Sequence, residues 1–117
     1  MKKILIIDDS FIMRNWVKKL LKEDGFQFIE ANDGKDAIKK MKDNYVDLIL
    51  LDLLMPKYDG FYFLEQVPEE EAKKVIVLSA DIQDSTRTKV LSYGAAGFLN
   101  KPPQADMLKN LMEKILS

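Results

Sequence analysis

The sequence predicts an α/β fold: a (βα)5 doubly wound sheet of five parallel strands in the spatial order 2-1-3-4-5. Three observations carry this expectation. Short aliphatic runs alternate with longer segments of helical period along the chain. The runs at 4–7, 48–51 and 75–78 have no polar face, as expected of strands covered on both sides of a parallel sheet. The 117 residues, 47% of them hydrophobic, suffice for one core with a radius of gyration of ~13 Å and leave no room for a second domain.

The first strand, Ile4-Leu5-Ile6-Ile7, is followed by Ser10, which can cap a helix running to about residue 24. Met13, Val17, Leu20 and Leu21 form the inward stripe of that helix, and Gly25 ends it. Residues 26–31 mix polar and apolar side chains, so the second strand belongs at a sheet edge. A helix follows at about 34–43. The third strand precedes a helix at about 61–67, and the fourth precedes one at about 84–93. Gly97-Phe98-Leu99-Asn100 is a short fifth strand at the other edge. The last helix starts at Pro103, a favoured first-turn residue, and turns Met107, Leu108, Leu111, Met112 and Ile115 inward. With 4–7 central and right-handed crossovers throughout, the order 2-1-3-4-5 places the mixed strand outermost.

Composition removes whole classes of chemistry. There is no cysteine, hence no disulfide, thiolate metal site or thiol nucleophile. There is no histidine, hence no imidazole base, His ligand or phosphohistidine carrier. Eighteen basic against nineteen acidic residues give a net charge of -1, which argues against nucleic acid as the main partner. No aliphatic run approaches the ~20 residues needed to cross a bilayer, and Asp8-Asp9 cuts short the run that follows Lys2-Lys3. The expectation is a soluble, cytoplasmic single domain spanning 1–117, with no membrane partner and no separate output domain.

In open α/β sheets the site lies beyond the carboxyl ends of the strands, where the winding reverses; here that is between strands one and three. Strand one ends in Asp8-Asp9, strand three in Asp52, strand four in Ser79-Ala80 and strand five in Asn100-Lys101-Pro102. Taken singly, each has an ordinary explanation: an acid or serine after a strand caps a helix, and a lone lysine is solvated. Together they place three carboxylates, a hydroxyl and an amine on one rim. Two like charges ~4 Å apart repel by ~4 kcal/mol at an effective dielectric near 20. Lys101 offsets part of that, and a hard divalent cation would offset the rest, Mg²⁺ better than Ca²⁺ where few carboxylates must share it with waters and a phosphate.

These residues are recognisable as a set. Asp8-Asp9-Ser10, Asp52-Leu53-Leu54-Met55-Pro56, Asp59-Gly60, Ser79-Ala80, Gly94-Ala95-Ala96-Gly97-Phe98 and Lys101-Pro102 resemble the motifs of a response-regulator receiver domain of two-component signalling, in order and over essentially the whole chain. The family shares the flavodoxin-like strand order, so that topology is implied by the resemblance as well as by the burial pattern. The resemblance implies that Asp52 is the phosphoacceptor, taking a phosphoryl group from a phosphohistidine on a partner sensor histidine kinase. It implies that Asp9 binds Mg²⁺ directly, Asp8 largely through water, and Asp52 and the Leu54 carbonyl as further ligands. Lys101 and the Ser79 hydroxyl would hold the phosphoryl oxygens, Phe98 would turn inward as Ser79 moves, and the Lys101-Pro102 bond would be cis. Phosphoryl transfer asks the protein mainly for positioning and charge neutralisation, which this set supplies.

Phe98 stands where many relatives carry tyrosine, leaving bulk alone to report the switch. Leu54 and Asp81 occupy the positions at which the family tunes phosphate loss, and apolar Leu54 is expected to hinder attacking water. Met55, Pro56 and Gly60 read as structural. The leading reading is a stand-alone regulator that catalyses only its own phosphotransfer and dephosphorylation, with chemotaxis-type signalling preferred to a phosphorelay intermediate. Its effector would dock on the fourth predicted helix, fifth strand and fifth predicted helix, with Arg87, Val90, Ser92, Tyr93, Phe98 and Lys109 as candidates, and a phosphatase is a possible further partner. A flavodoxin-like cofactor binder is disfavoured because Asp8-Asp9 would repel its phosphate. A Mg²⁺-dependent phosphatase is disfavoured because no general acid or base accompanies Asp52.

Overall fold

All three unbroken apolar runs, and both edge candidates, become strands. The computed structural model describes residues 1–117 and contains β1 (Lys3–Ile7), β2 (Gln27–Ala31), β3 (Leu48–Asp52), β4 (Val75–Ser79) and β5 (Gly97–Asn100). They form one parallel sheet in the order β2-β1-β3-β4-β5. The radius of gyration is 12.7 Å. No helix is long and apolar enough to cross a membrane.

Strand alternation divides the core in two. Leu5, Ile7, Ile49, Leu51, Val75 and Val77 face one side, covered by Ala37 of α2 (Gly34–Asp43), Phe63 and Leu64 of α3 (Gly60–Gln66), and a single valine, Val90, from α5 (Asp84–Ser92). Ile4, Ile6, Leu48, Leu50 and Ile76 face the other, covered by Val17 of α1 (Phe11–Leu20), Leu21, and Leu108 and Met112 of α6 (Ala105–Leu116). Side chains on both faces meet helices, which is why β1, β3 and β4 carry no polar alternation.

Three local expectations are corrected. The first helix stops at Leu20, and Lys22–Asp24 continues as a 3-10 turn into Gly25, whose φ of 74° is the left-handed ending that glycine permits. A one-turn helix, α4 (Glu69–Ala72), follows Pro68, so the fourth and fifth predicted helices are α5 and α6; an all-acidic turn with only Ala72 buried has no apolar stripe to announce it. The last helix begins at Ala105, and Met107 is 51% exposed. Leu108 and Met112 take the inward line, leaving Met107 on the flank of that stripe.

Candidate functional site

The rim at the carboxyl ends of β1, β3, β4 and β5 holds the expected groups. Asp8 leaves the sheet after β1 still pinned to its edge partner, its N–H donating to the Ala31 carbonyl at 3.1 Å. Its carboxylate accepts the Ser10 N–H at 2.8 Å on Oδ1 and faces the Lys101 ammonium at 2.7 Å on Oδ2. Ser10 in turn caps α1, accepting the Met13 N–H at 3.1 Å. Asp9 is exposed. Asp52, the last residue of β3, is 6% exposed; Lys101 Nζ lies 3.4 Å from its Oδ2, and the Leu54 N–H donates weakly to its Oδ1 at 3.4 Å. Carboxylate oxygens of Asp8, Asp9 and Asp52 all lie within 4.8 Å of one another.

Backbone geometry delivers the remaining groups. Pairing of β4 with β5 sets Ser79 opposite Asn100, and the Lys101 N–H donates to the Ser79 carbonyl at 3.0 Å, bringing the lysine to the same rim. The Lys101-Pro102 bond is cis. Ser79 is wholly buried, and its hydroxyl accepts the Asp81 N–H at 3.0 Å, leaving its own proton to donate. Gly60 lies so close under the loop after β3 that a Cβ there would meet the Asp52 carbonyl at 2.7 Å and the Leu53 Cα at 2.8 Å. Only glycine fits. Met55 is buried, and its structural reading stands.

The electrostatics follow from crowding. Burial, then the Asp8 charge, push the Asp52 carboxyl up from 3.8 to about 6, against the pull of Lys101. One ammonium thus pairs with two carboxylates, and the carboxylate of Asp9 beside them has no cationic partner. The donor set is oxygen only, since the chain has neither histidine nor cysteine. Clustered carboxylates with unbalanced negative charge fit a hard divalent cation and fit no soft one.

Several expected residues land elsewhere. Val90 is fully buried beneath α5 and is core, so it cannot contact a partner. Lys109 sits on the far flank of α6, 3.5 Å from Asp24, and does not share a face with Phe98. Arg87 and Ser92 are exposed and Tyr93 is half-buried, its hydroxyl donating to Glu65 at 3.2 Å. Phe98 is buried, with the Arg87 guanidinium 5.8 Å from its ring centroid. A groove beside it is lined by Ile82, Arg87, Phe98, Met107 and Gln104. Asp81 turns its carboxylate away into the first turn of α5, accepting from the Gln83 N–H at 3.0 Å and the Thr86 hydroxyl at 2.8 Å. Leu54, whose N–H faces Asp52, is 66% exposed. Arg14, which reaches the Asp8 carbonyl from behind the rim, and its partner Glu30 were not legible: a charged residue on a helix or an edge strand carries no sequence mark that separates it from a solvated one.

A five-stranded parallel sheet in this order, with an acid pair after β1, an aspartate after β3, a serine after β4 and a lysine after β5, defines a receiver domain. A family model described as the response regulator receiver domain matches residues 4–113, and the chain belongs to that family. The chemotaxis protein CheY of Listeria monocytogenes is 36% identical over 116 residues, covering 97% of this chain and 98% of that protein. The response regulator TrrA of Thermotoga maritima, solved in complex with Mg²⁺ and BeF, superimposes with a TM-score of 0.86 at 31% identity, covering 99% of this chain and 100% of that one. CheY of Borrelia burgdorferi, solved with CheX, BeF3 and Mg²⁺, gives 0.89 at 29% identity, covering 99% and 90%.

Proposed function

We propose that this protein is a cytoplasmic phosphorylation switch of the chemotaxis type, phosphorylated on Asp52 by a histidine kinase and read by a protein effector. The observation that carries the reading is the shared ammonium: Lys101 lies between the Asp8 and Asp52 carboxylates, in a pocket otherwise short of positive charge.

Asp8, Asp9, Asp52 and the Leu54 carbonyl would hold Mg²⁺, which when bound supplies charge neutralisation at the phosphoryl oxygens. The chain's own groups do the rest. An oxygen of ionised Asp52 attacks phosphorus; the O–P bond of an acyl phosphate forms as the N–P bond of the donor phosphohistidine breaks, and the electron pair leaves with the imidazole. At pH 7 a carboxyl raised to about 6 is still mostly ionised, yet poorly solvated and so more readily stripped for attack. Lys101 follows the developing charge, and the Ser79 hydroxyl donates its free proton to a phosphoryl oxygen. Attack of water on the phosphorus restores the Asp52 carboxylate and releases inorganic phosphate, so the protein catalyses its own phosphotransfer and its own dephosphorylation.

Chemotaxis-type signalling is favoured over a phosphorelay role because curated CheY proteins match over nearly their whole length. The effector surface is the groove at Phe98, Arg87, Ile82 and Met107, and a CheY relative solved in complex with CheX supports contact with a protein partner. Phosphorylation shifts an existing equilibrium between two placements of this face. Intact-mass spectrometry after incubation with acetyl phosphate, with and without Mg²⁺, tests the reading on wild type and Asp52→Asn. One added phosphoryl group is expected on wild type with metal alone; a label surviving the substitution places the acceptor elsewhere.

A further inference from the structure

We propose that Arg14 is a positioning residue for the cation rim: it grips the Asp8 main chain from behind and thereby fixes where the Asp8 carboxylate stands. The inference rests on the cation reading of the pocket given above and deepens it.

Asp8 is restrained at four atoms. Its N–H is held by the Ala31 carbonyl, Oδ1 by the Ser10 N–H and Oδ2 by Lys101. The fourth restraint is the Arg14 guanidinium, whose Nη1 donates to the Asp8 carbonyl at 2.5 Å. The first two are consequences of the sheet and of the turn into α1, and Lys101 belongs to the pocket itself. Arg14 is the one charged side chain outside the pocket that touches Asp8. It is anchored in turn, its Nε donating to Glu30 Oε1 at 2.8 Å with the arginine side chain 15% exposed. Glu30 stands in β2 opposite Ile6 of β1, so the guanidinium bridges the two strands at the point where β1 gives way to the acid pair.

Glu30 is itself immobilised. Lys18 binds its other carboxylate oxygen at 3.0 Å, and Lys40 of α2 donates to its carbonyl at 2.7 Å. Burial pushes its carboxyl up, but Lys18 and Arg14 together hold it below the ordinary value, so it stays charged as a counterion. A guanidinium can satisfy two acceptors at fixed angles, which an ammonium cannot.

The sign of the effect separates positioning from field. A positive charge behind an acidic pocket opposes a cation, so by field alone removing Arg14 would tighten Mg²⁺ binding. By positioning, removing it releases the Asp8 main chain and weakens binding; loss of a group that orients a metal ligand typically costs about tenfold or more in affinity.

Isothermal titration of Mg²⁺ into the full chain, with urea unfolding in EDTA to establish folding, decides between them. Arg14→Met is expected to bind Mg²⁺ about tenfold more weakly. Arg14→Lys keeps the charge and loses the fork, and is expected to weaken binding several-fold. A folded Arg14→Met that binds as tightly as wild type, or more tightly, overturns the proposal, and so does wild-type affinity in Arg14→Lys, which decides alone if the methionine variant does not fold. If wild type itself takes up no Mg²⁺, the cation reading falls and this inference with it; if wild type binds and the Arg14 variants match it, this inference alone falls.

Discussion

Neutralising Asp52 should make the metal-free protein more stable. A carboxyl raised from 3.8 to about 6 carries about 3 kcal/mol against the ionised folded state at ~1.4 kcal/mol per pH unit. Asp52→Asn removes that net term, in which the 3.4 Å pairing with Lys101 is already counted, and keeps an oxygen to accept the Leu54 N–H, while screening by solvent at the pocket rim trims the gain. The net expectation is a gain of ~2 kcal/mol at pH 7.5 in EDTA, a shift of roughly 1 M in the urea midpoint. Because the folded value lies above the unfolded one, the stability Asp52 contributes is complete below about pH 4 and is lost as pH rises through about 6. The advantage of the asparagine variant should therefore vanish near pH 4 and be full above pH 7. Urea unfolding at pH 4, 5, 6 and 7.5 measures it. A variant no more stable than wild type at pH 7.5, or a gain that persists unchanged at pH 4, refutes the crowding argument.

Leu54→Asn should hasten loss of the phosphoryl group several-fold, since it replaces an exposed apolar side chain two residues beyond Asp52 with a group able to orient water; the decay of the mass-labelled species after removal of acetyl phosphate reports this, and an unchanged or slower decay contradicts it. Gly60→Ala should cost more than ~2 kcal/mol in urea, because its methyl group would collide with the Asp52 and Leu53 backbone. Leu108→Ala should cost ~2–5 kcal/mol while Met107→Ala costs less than about 1, although the two are adjacent; equal costs would mean that the inward line of α6 is drawn wrongly.

What was legible in the sequence was whatever a strand delivers. Asp8, Asp52, Ser79 and Lys101 each follow an apolar run, and in a parallel sheet the carboxyl ends share one rim, so run order alone brings them together. The residues that were not legible are those whose place depends on helix rotation. Val90, Met107 and Lys109 lie on helices whose phase relative to the sheet is set by packing, and one position of rotation exchanges core for surface. The Arg14 to Glu30 bridge depends on β2 lying beside β1 in a particular register, which no pattern within either segment encodes.

The seating of α5 bears on how so small a chemical event can be read at a distance. Within that helix Val90 alone is buried, whereas α1 adds partly buried Met13 and Leu20 to Val17, and α2 adds Ile38 and Met41 to Ala37. Burying one valine is worth about 1.5–2 kcal/mol. A hydrogen bond from the Ser79 hydroxyl to a charged phosphoryl oxygen is worth about the same, 1.5–3 kcal/mol. If the proposed phosphorylation occurs, a helix with one fully buried side chain is thus matched in scale to the bond that would pull on it, and the helices with more inward side chains would be the frame against which it shifts.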